Sequence, residues 1–179
     1  WVFSHNLAHK CCKQAGIRSK ARKYTYKKAG EEHIAFPNVV QGNWNATHPI
    51  EVVVSNMTIF KSNGQNWEWT LLVDTFNNEI LAHQATPIQG STKPYYHCLE
   101  QLKLLVGRKN EEQTPQVVLH TDQGSVYSSQ AFRQAHEHYN ILRSMSRVGT
   151  PTDNAIIEAM NGWIKEELLL DFGLATAKD

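Results

Sequence analysis

The sequence predicts an α/β domain built on a mixed five-stranded sheet, three antiparallel strands followed by alternating strands and helices, flanked by helices. Three observations predict it. Strand signals follow one another without a helix between residues 51 and 84, a short unbroken apolar run lies between two helical patterns, and a long helical pattern comes last.

Glu51–Phe60 is rich in Val, Thr and Ile and reads as the first strand. Ser62-Asn63-Gly64-Gln65 supplies a turn with the favoured Asn-Gly pair, and Trp67–Thr75 reads as the returning strand. Asn77-Asn78 then turns the chain into a third strand, Glu79–Gln84. Ser91 or Thr92 caps the helix that follows. Pro94 sits in its first turn, Tyr95, Leu99, Leu102 and Val106 form its apolar stripe, and Gly107 ends it. Val117-Val118-Leu119 has the continuous apolar character of a buried, parallel-type strand. Ser128 caps a helix with Phe132, Ala135 and Tyr139 on one face, Ile141–Ser144 is the fifth strand, and Pro151-Thr152-Asp153 opens a final helix running to about Leu170. Upstream, Ala8, Cys11, Cys12 and Ala15 recur at helical spacing, whereas Gly30, Pro37, Gly42 and Pro49 interrupt residues 18–48.

A chain of 179 residues, 41% hydrophobic and 20% charged, suits one globular domain with a short appendage. No apolar run is long enough to span a bilayer and no signal peptide opens the chain, so a cytoplasmic protein without a membrane partner is expected. Three cysteines, Cys11 and Cys12 adjacent, make a poor disulfide framework and fit a reducing compartment. His5, His9, Cys11 and Cys12 are of metal-binding type, but adjacent cysteines with no paired second half lack tetrahedral zinc spacing.

The net charge of +1 hides an asymmetry. Residues 1–29 carry Lys10, Lys13, Arg18, Lys20, Arg22, Lys23, Lys27 and Lys28 and no acid, leaving ten basic residues against seventeen acidic ones in the remainder. We divide the chain into a basic N-terminal arm or remnant of a helical region at 1–34, and a body at 35–179. Arg18, Lys20, Arg22 and Lys23 are candidate phosphate contacts, although a solvated terminus has the same composition.

His120-Thr121-Asp122-Gln123-Gly124-Ser125 follows directly on the apolar strand, where ligand sites of open α/β sheets gather. Asp122 is placed to hold a cation, with Gly124 allowing a sharp turn beneath it; a plain turn cap is the competing reading. At roughly 100° per residue, Ile156, Met160, Trp163, Ile164 and Leu168 form a core face on the last helix. Glu158, Asn161, Gly162 and Lys165 lie opposite, either facing metal and phosphate or simply solvated.

Asp122 and Glu158 are separated by thirty-five residues, with Ser144-Met145-Ser146-Arg147 and Asp153-Asn154-Ala155 between them. This combination resembles the DDE transposases of bacterial insertion sequences, whose cores are similar to retroviral integrases. The resemblance extends upstream through Phe36-Pro37-Asn38, Ala46 to Pro49 and the Trp67–Ala82 meander, and covers about residues 35–170. It implies a ribonuclease H-like fold and a polynucleotidyl transferase that cuts and joins DNA. In that family three carboxylates hold two Mg2+ (or Mn2+) ions. Carried over by position, Asp122 and Glu158 are two of the ligands, and Lys165, with Asn161 and Arg147, contacts DNA.

The first carboxylate of the family stands in a segment resembling Trp-x-x-Asp-x-Thr. Here Val53-Val54-Ser55-Asn56-Met57-Thr58 matches it, so Asn56 occupies the aspartate position and Val53 that of the tryptophan. Asp74 is a minor alternative carboxylate. Pairing across Asn63-Gly64 sets residue 56 opposite residue 71 and leaves Asp74 on the other side of the sheet. An engineered substitution and natural divergence explain Asn56 equally well. Expected partners are transposon-end and target DNA, held by a homodimer or larger assembly. The chain looks like a fragment, truncated after the glutamate helix. Rival readings are a catalytically inactive ribonuclease H-like DNA-binding module, favoured by Asn56, and a nuclease acting on RNA–DNA hybrids, disfavoured by the Ser-Met-Ser-Arg and Asp-Asn-Ala elements.

Overall fold

Ser4 opens a first helix, α1 (His5–Gln14), by accepting a bond from Leu7 N at 3.3 Å. The described side chains of this helix are all exposed. It belongs to a computed structural model that describes residues 4–17, 33–109 and 115–174. Arg18, Lys20, Arg22 and Lys23 lie outside the described residues.

The sheet begins with β1 (Val52–Ser62) and β2 (Gln65–Asp74), joined by the predicted turn. Asn63 at φ 47° and Gly64 at φ 79° are both left-handed, as a two-residue hairpin turn matching the strand twist requires. Asn56 pairs with Leu71 and Val53 with Asp74, the register expected from that turn. β3 (Ile80–Thr86) pairs antiparallel with β2, with an irregularity between Leu72 and Val73. Helix α2 (Lys93–Val106) leads to β4 (Val117–Thr121), α3 (Gln130–Ala135) to β5 (Ile141–Met145), and the chain ends in α4 (Ala155–Leu170). The strand order is β3-β2-β1-β4-β5, with β4 parallel to both β1 and β5.

Strand alternation divides the core between the two faces. Val53, Leu72 and Leu119 meet Cys98, Leu99, Leu102 and Val106 of α2 and Phe132 of α3. Val54, Leu71 and Val73 meet Ile157 of α4, with Trp44, Ile156, Met160, Ile164 and Leu168 packed around them.

Four local expectations need correction or refinement. Ser128 does not cap α3; Ser129 does, accepting from Phe132 N at 3.1 Å, while the Ser128 hydroxyl turns back to Gly124 O. That helix also stops before Tyr139, because the His136 ring donates from Nδ1 to Phe132 O at 2.7 Å and takes the place of the backbone amide there. Of the two candidates at the start of α2, Thr92 makes no capping bond from its side chain, whereas the Ser91 hydroxyl accepts from Lys93 N at 3.4 Å. A 3₁₀ turn, Pro151–Asn154, precedes α4 instead of a continuous helix. No helix among the described residues is long and apolar enough to cross a membrane.

Candidate active site

β1 and β4 run side by side and in the same direction, with Val54 beside His120 and Ser55 beside Thr121. The alternation that sends Val54 towards α4 sends Asn56 the same way, and the chain leaving β4 brings Asp122 alongside. Glu158 lies in the first turn of α4, exposed at the edge of the same face. Asn56, Asp122 and Glu158 thereby line one cavity of about 710 Å³, together with Gln123, Gly124, Ser146, Arg147, Val148, Gly149, Thr150 and Asn154.

Asp122 is half-buried, and burial raises its pKa above the ordinary carboxylate value, with the Gly124 amide opposing. Oδ1 accepts from Gly124 N at 2.9 Å. Among the described residues no cation forms an ion pair with Asp122 or Glu158. A desolvated carboxylate without a counter-ion favours a bound cation. Gly124 serves this site differently from the expectation: a Cβ there would stand 2.9 Å from Asp122 Oδ1, so glycine is required for close approach and not for a left-handed turn.

The donor set suits a hard cation in part. Two carboxylates and one carboxamide oxygen are hard donors, and Mg2+ is commonly held by one or two carboxylates with substrate phosphate completing its shell. No cluster of three His, Cys, Asp or Glu side chains able to hold a metal occurs among the described residues, as Asn56 makes inevitable at this cavity.

Arg147 reaches the cavity but is engaged. Its backbone N and Nε both donate to Asp153 Oδ2, at 2.9 and 2.8 Å, and Nη2 donates to Oδ1 at 2.8 Å. This pair holds the Asp153 carboxyl far below the usual range. The Arg147 side chain remains 70% exposed, so its outer edge is open to solvent. The clasp closes the segment that contributes Val148, Gly149 and Thr150, none of which the sequence reading selected. An Arg and an Asp six residues apart around Gly149-Thr150-Pro151 was the available signal.

Other candidates fall away from the cavity. Asn161 is only 6% exposed and is not a surface contact for DNA; its Oδ1 has no hydrogen-bond partner among the described residues. Trp163, expected in the core, is 68% exposed, and Ile157 is buried in its stead. Lys165 is half-buried, with burial lowering its pKa, and is not part of the cavity lining. Asp74 is 1% exposed on the opposite sheet face, where Oδ2 accepts from Ile50 N and Oδ1 from Phe76 N. Its carboxylate fixes the end of the hairpin, which removes it as the alternative metal ligand.

Comparison with known proteins gives this geometry its relatives. Residues 46–151 match the model of the integrase core domain. The chain is 33% identical over 139 residues to a transposase-type protein, InsK of insertion sequence element IS150 from Escherichia coli (strain K12), covering 77% of this chain and 47% of that one. It is 27% identical to the transposase of insertion sequence element IS904 from Lactococcus lactis, covering 87% and 60%. The chain thus spans less than two thirds of each relative. Among solved structures, a chain of the simian T-cell lymphotropic virus intasome superposes with a TM-score of 0.60 at 22% identity, covering 82% of this chain and 48% of that one. The magnesium complex of the HTLV-2 integrase catalytic core in its dimeric form gives 0.52 at 23%, covering 70% and 76%. These likenesses bear out the ribonuclease H-like fold. With a family match over more than half its length and the fold to go with it, the chain belongs to the integrase core domain family.

Proposed function

We propose that this domain carries out divalent-metal-dependent phosphoryl transfer on DNA, cleaving and joining strands during transposition. Asp122 and Glu158 are its metal-holding carboxylates, and Asn56 stands at the place of a third. The observation that carries this reading is that β1, β4 and α4, far apart in sequence, deliver those three side chains to one cavity. A bound Mg2+ or Mn2+ would supply Lewis-acid polarisation of a phosphate oxygen and a lowered pKa for an attacking water or 3′-hydroxyl.

Asp122 and Glu158 contribute anionic oxygens, the donors that hard cations prefer. Asn56 keeps the shape of aspartate but offers a neutral oxygen, so a two-ion arrangement loses one charge and one strong ligand. Arg147 and Lys165 supply cations that position a phosphate backbone without reading its sequence. The partners in this reading are transposon-end and target DNA and a second copy of the protein.

The test compares the chain with Asn56→Asp for Mg2+- or Mn2+-dependent nicking and strand transfer on labelled DNA ends. Asn56→Asp is expected to cut several orders of magnitude faster, and Asp122→Asn or Glu158→Gln in that background to abolish cutting. Equal cutting by both proteins would remove Asn56 from the triad position. The presence of Asn56 also favours a second reading, a DNA-binding module without catalysis. Binding of the same DNA by both proteins, with neither cutting it, would establish that one.

A further inference from the structure

Among the polar side chains of the two sequence motifs that this chemistry leaves unused, His120, Ser144 and Ser146 meet one another. They lie where β4 and β5 run parallel, with His120 beside Ser144 and Ser146 one alternation further along. His120 and Ser144 are fully buried and Ser146 is 7% exposed. Each ring nitrogen of His120 meets a hydroxyl, Nδ1 to Ser144 Oγ at 2.8 Å and Nε2 to Ser146 Oγ at 3.1 Å. Trp44 closes the ring edge-on at 5.3 Å, and Val39 N donates to Ser144 Oγ at 3.0 Å.

Ser146 is the more telling member, because its three polar groups all go to the residues around Asp122. Its N donates to Thr121 O at 2.9 Å, its carbonyl accepts from Gln123 Nε2 at 2.9 Å, and its hydroxyl meets His120. Residues 120, 121 and 123 are therefore all tied to one residue of the neighbouring segment. Among the described residues the Asp122 carboxylate has only the bond from Gly124 N to Oδ1, while its carbonyl accepts from Thr121 Oγ1 at 3.0 Å. Ser146 and Gln123 also line the cavity, so the network runs from the buried ring to the wall facing the carboxylate. A histidine serving only to fill the core would not need its partners to bracket one carboxylate.

We propose that Ser146, backed by His120, is the positioning residue that sets the direction of the Asp122 carboxylate towards the metal. The inference rests on the reading of Asp122 as a metal ligand. Groups that orient metal ligands typically change affinity by roughly 10–100-fold when removed.

The test uses the full chain, with Asn56 and with Asn56→Asp, and adds Ser146→Ala, Ser146→Thr and His120→Gln. Two readouts are followed well below each variant's melting temperature: hydrogen exchange of the Gly124 amide without metal, and Mn2+ affinity by electron paramagnetic resonance. Ser146→Ala is expected to speed Gly124 exchange about tenfold, leaving the amides of α2 unchanged, and to weaken Mn2+ binding about tenfold. Ser146→Thr, which keeps the hydroxyl, restores both, and His120→Gln gives an intermediate effect. Folded Ser146→Ala and His120→Gln proteins with parental Gly124 exchange and Mn2+ affinity would overturn the proposal. If neither parent binds Mn2+, the metal reading fails by itself. Gly124 exchange then decides the positioning role alone, faster exchange supporting it and parental exchange overturning it.

Discussion

The Asp122 carboxylate is held by very little, and that makes its neighbours sensitive positions. Among the described residues one bond, from Gly124 N to Oδ1 at 2.9 Å, orients it, and the absent Cβ of Gly124 leaves the space it occupies. Gly124 has no left-handed backbone, so alanine can adopt its conformation; the conflict lies with the carboxylate alone. Gly124→Ala should therefore fold with a melting temperature near that of its parent and swing Asp122 away from the cavity. Misplacement by about 1 Å commonly costs on the order of 100-fold in rate, so nicking by the Asn56→Asp protein should fall by roughly that factor when Gly124→Ala is added. Parental nicking by a protein with an ordinary melting temperature would mean that the close approach at Gly124 is not needed to place the carboxylate. Asn56 poses the opposite case, since it lines the same cavity but carries no charge.

Elements whose signals are local were legible in the sequence, and those set by distant contacts were not. The hairpin was readable because Asn63-Gly64 specifies its own turn, and that turn fixed the Asn56–Leu71 register. Asp122 and Glu158 were marked by the resemblance and its spacing, and the fold brings both to one cavity. Helix α4 shows the limit. Apolar periodicity chose Ile156, Met160, Trp163, Ile164 and Leu168, yet the sheet face of Val54, Leu71 and Val73 turns the helix so that Ile157 and Asn161 are buried and Trp163 is exposed. Nor does any local pattern announce that Ser146 meets His120, because that contact depends on the register of β5 with β4. The clasp before α4 is similar: Asp153 turns to Arg147 and does not cap the helix, holding 147–153 closed beside Glu158. Charge-assisted, two-pronged bonds of this kind fix a loop geometrically. Asp153→Asn removes the charge and should leave the sheet intact while trypsin cuts after Arg147 roughly tenfold faster, as the segment opens locally. Cleavage at the parental rate would show that the 3₁₀ turn holds the segment without the clasp.

Across the whole molecule, the two sheet faces differ in what they bury. The α4 side is mostly apolar apart from the His120 network and Asn161, whereas the α2–α3 side encloses a cation and a second imidazole beside its aromatic rings. Arg143 lies between the rings of Phe36 and Phe132, 5.0 Å from each, and donates from Nη2 to Thr121 Oγ1 and Tyr127 O. Burial lowers its pKa to about 10. His136, 4% exposed, packs against Phe132, and its pKa falls from 6.5 to about 4. Burial is the main cause, followed by the charge of Arg143; the bond to Phe132 O opposes, and Lys109 and Lys103 add small repulsions. The sign of the consequence follows from which state takes up the proton. Above pH 6.5 the ring is neutral in both states and contributes no pH dependence. As pH falls from 6.5 to about 4, the unfolded chain binds a proton that the folded chain refuses, and stability declines; below that both states are protonated and the dependence ends. The loss over this window is about 3 kcal/mol. His120, whose pKa burial also lowers, adds to the decline in the same direction. Urea unfolding between pH 8 and 4 should show the midpoint falling below pH 6.5, and His136→Gln, with no titrating ring, should lose about 3 kcal/mol less over the same window. Parallel curves for the two proteins would mean that His136 is protonated in the folded state, beside the buried guanidinium of Arg143.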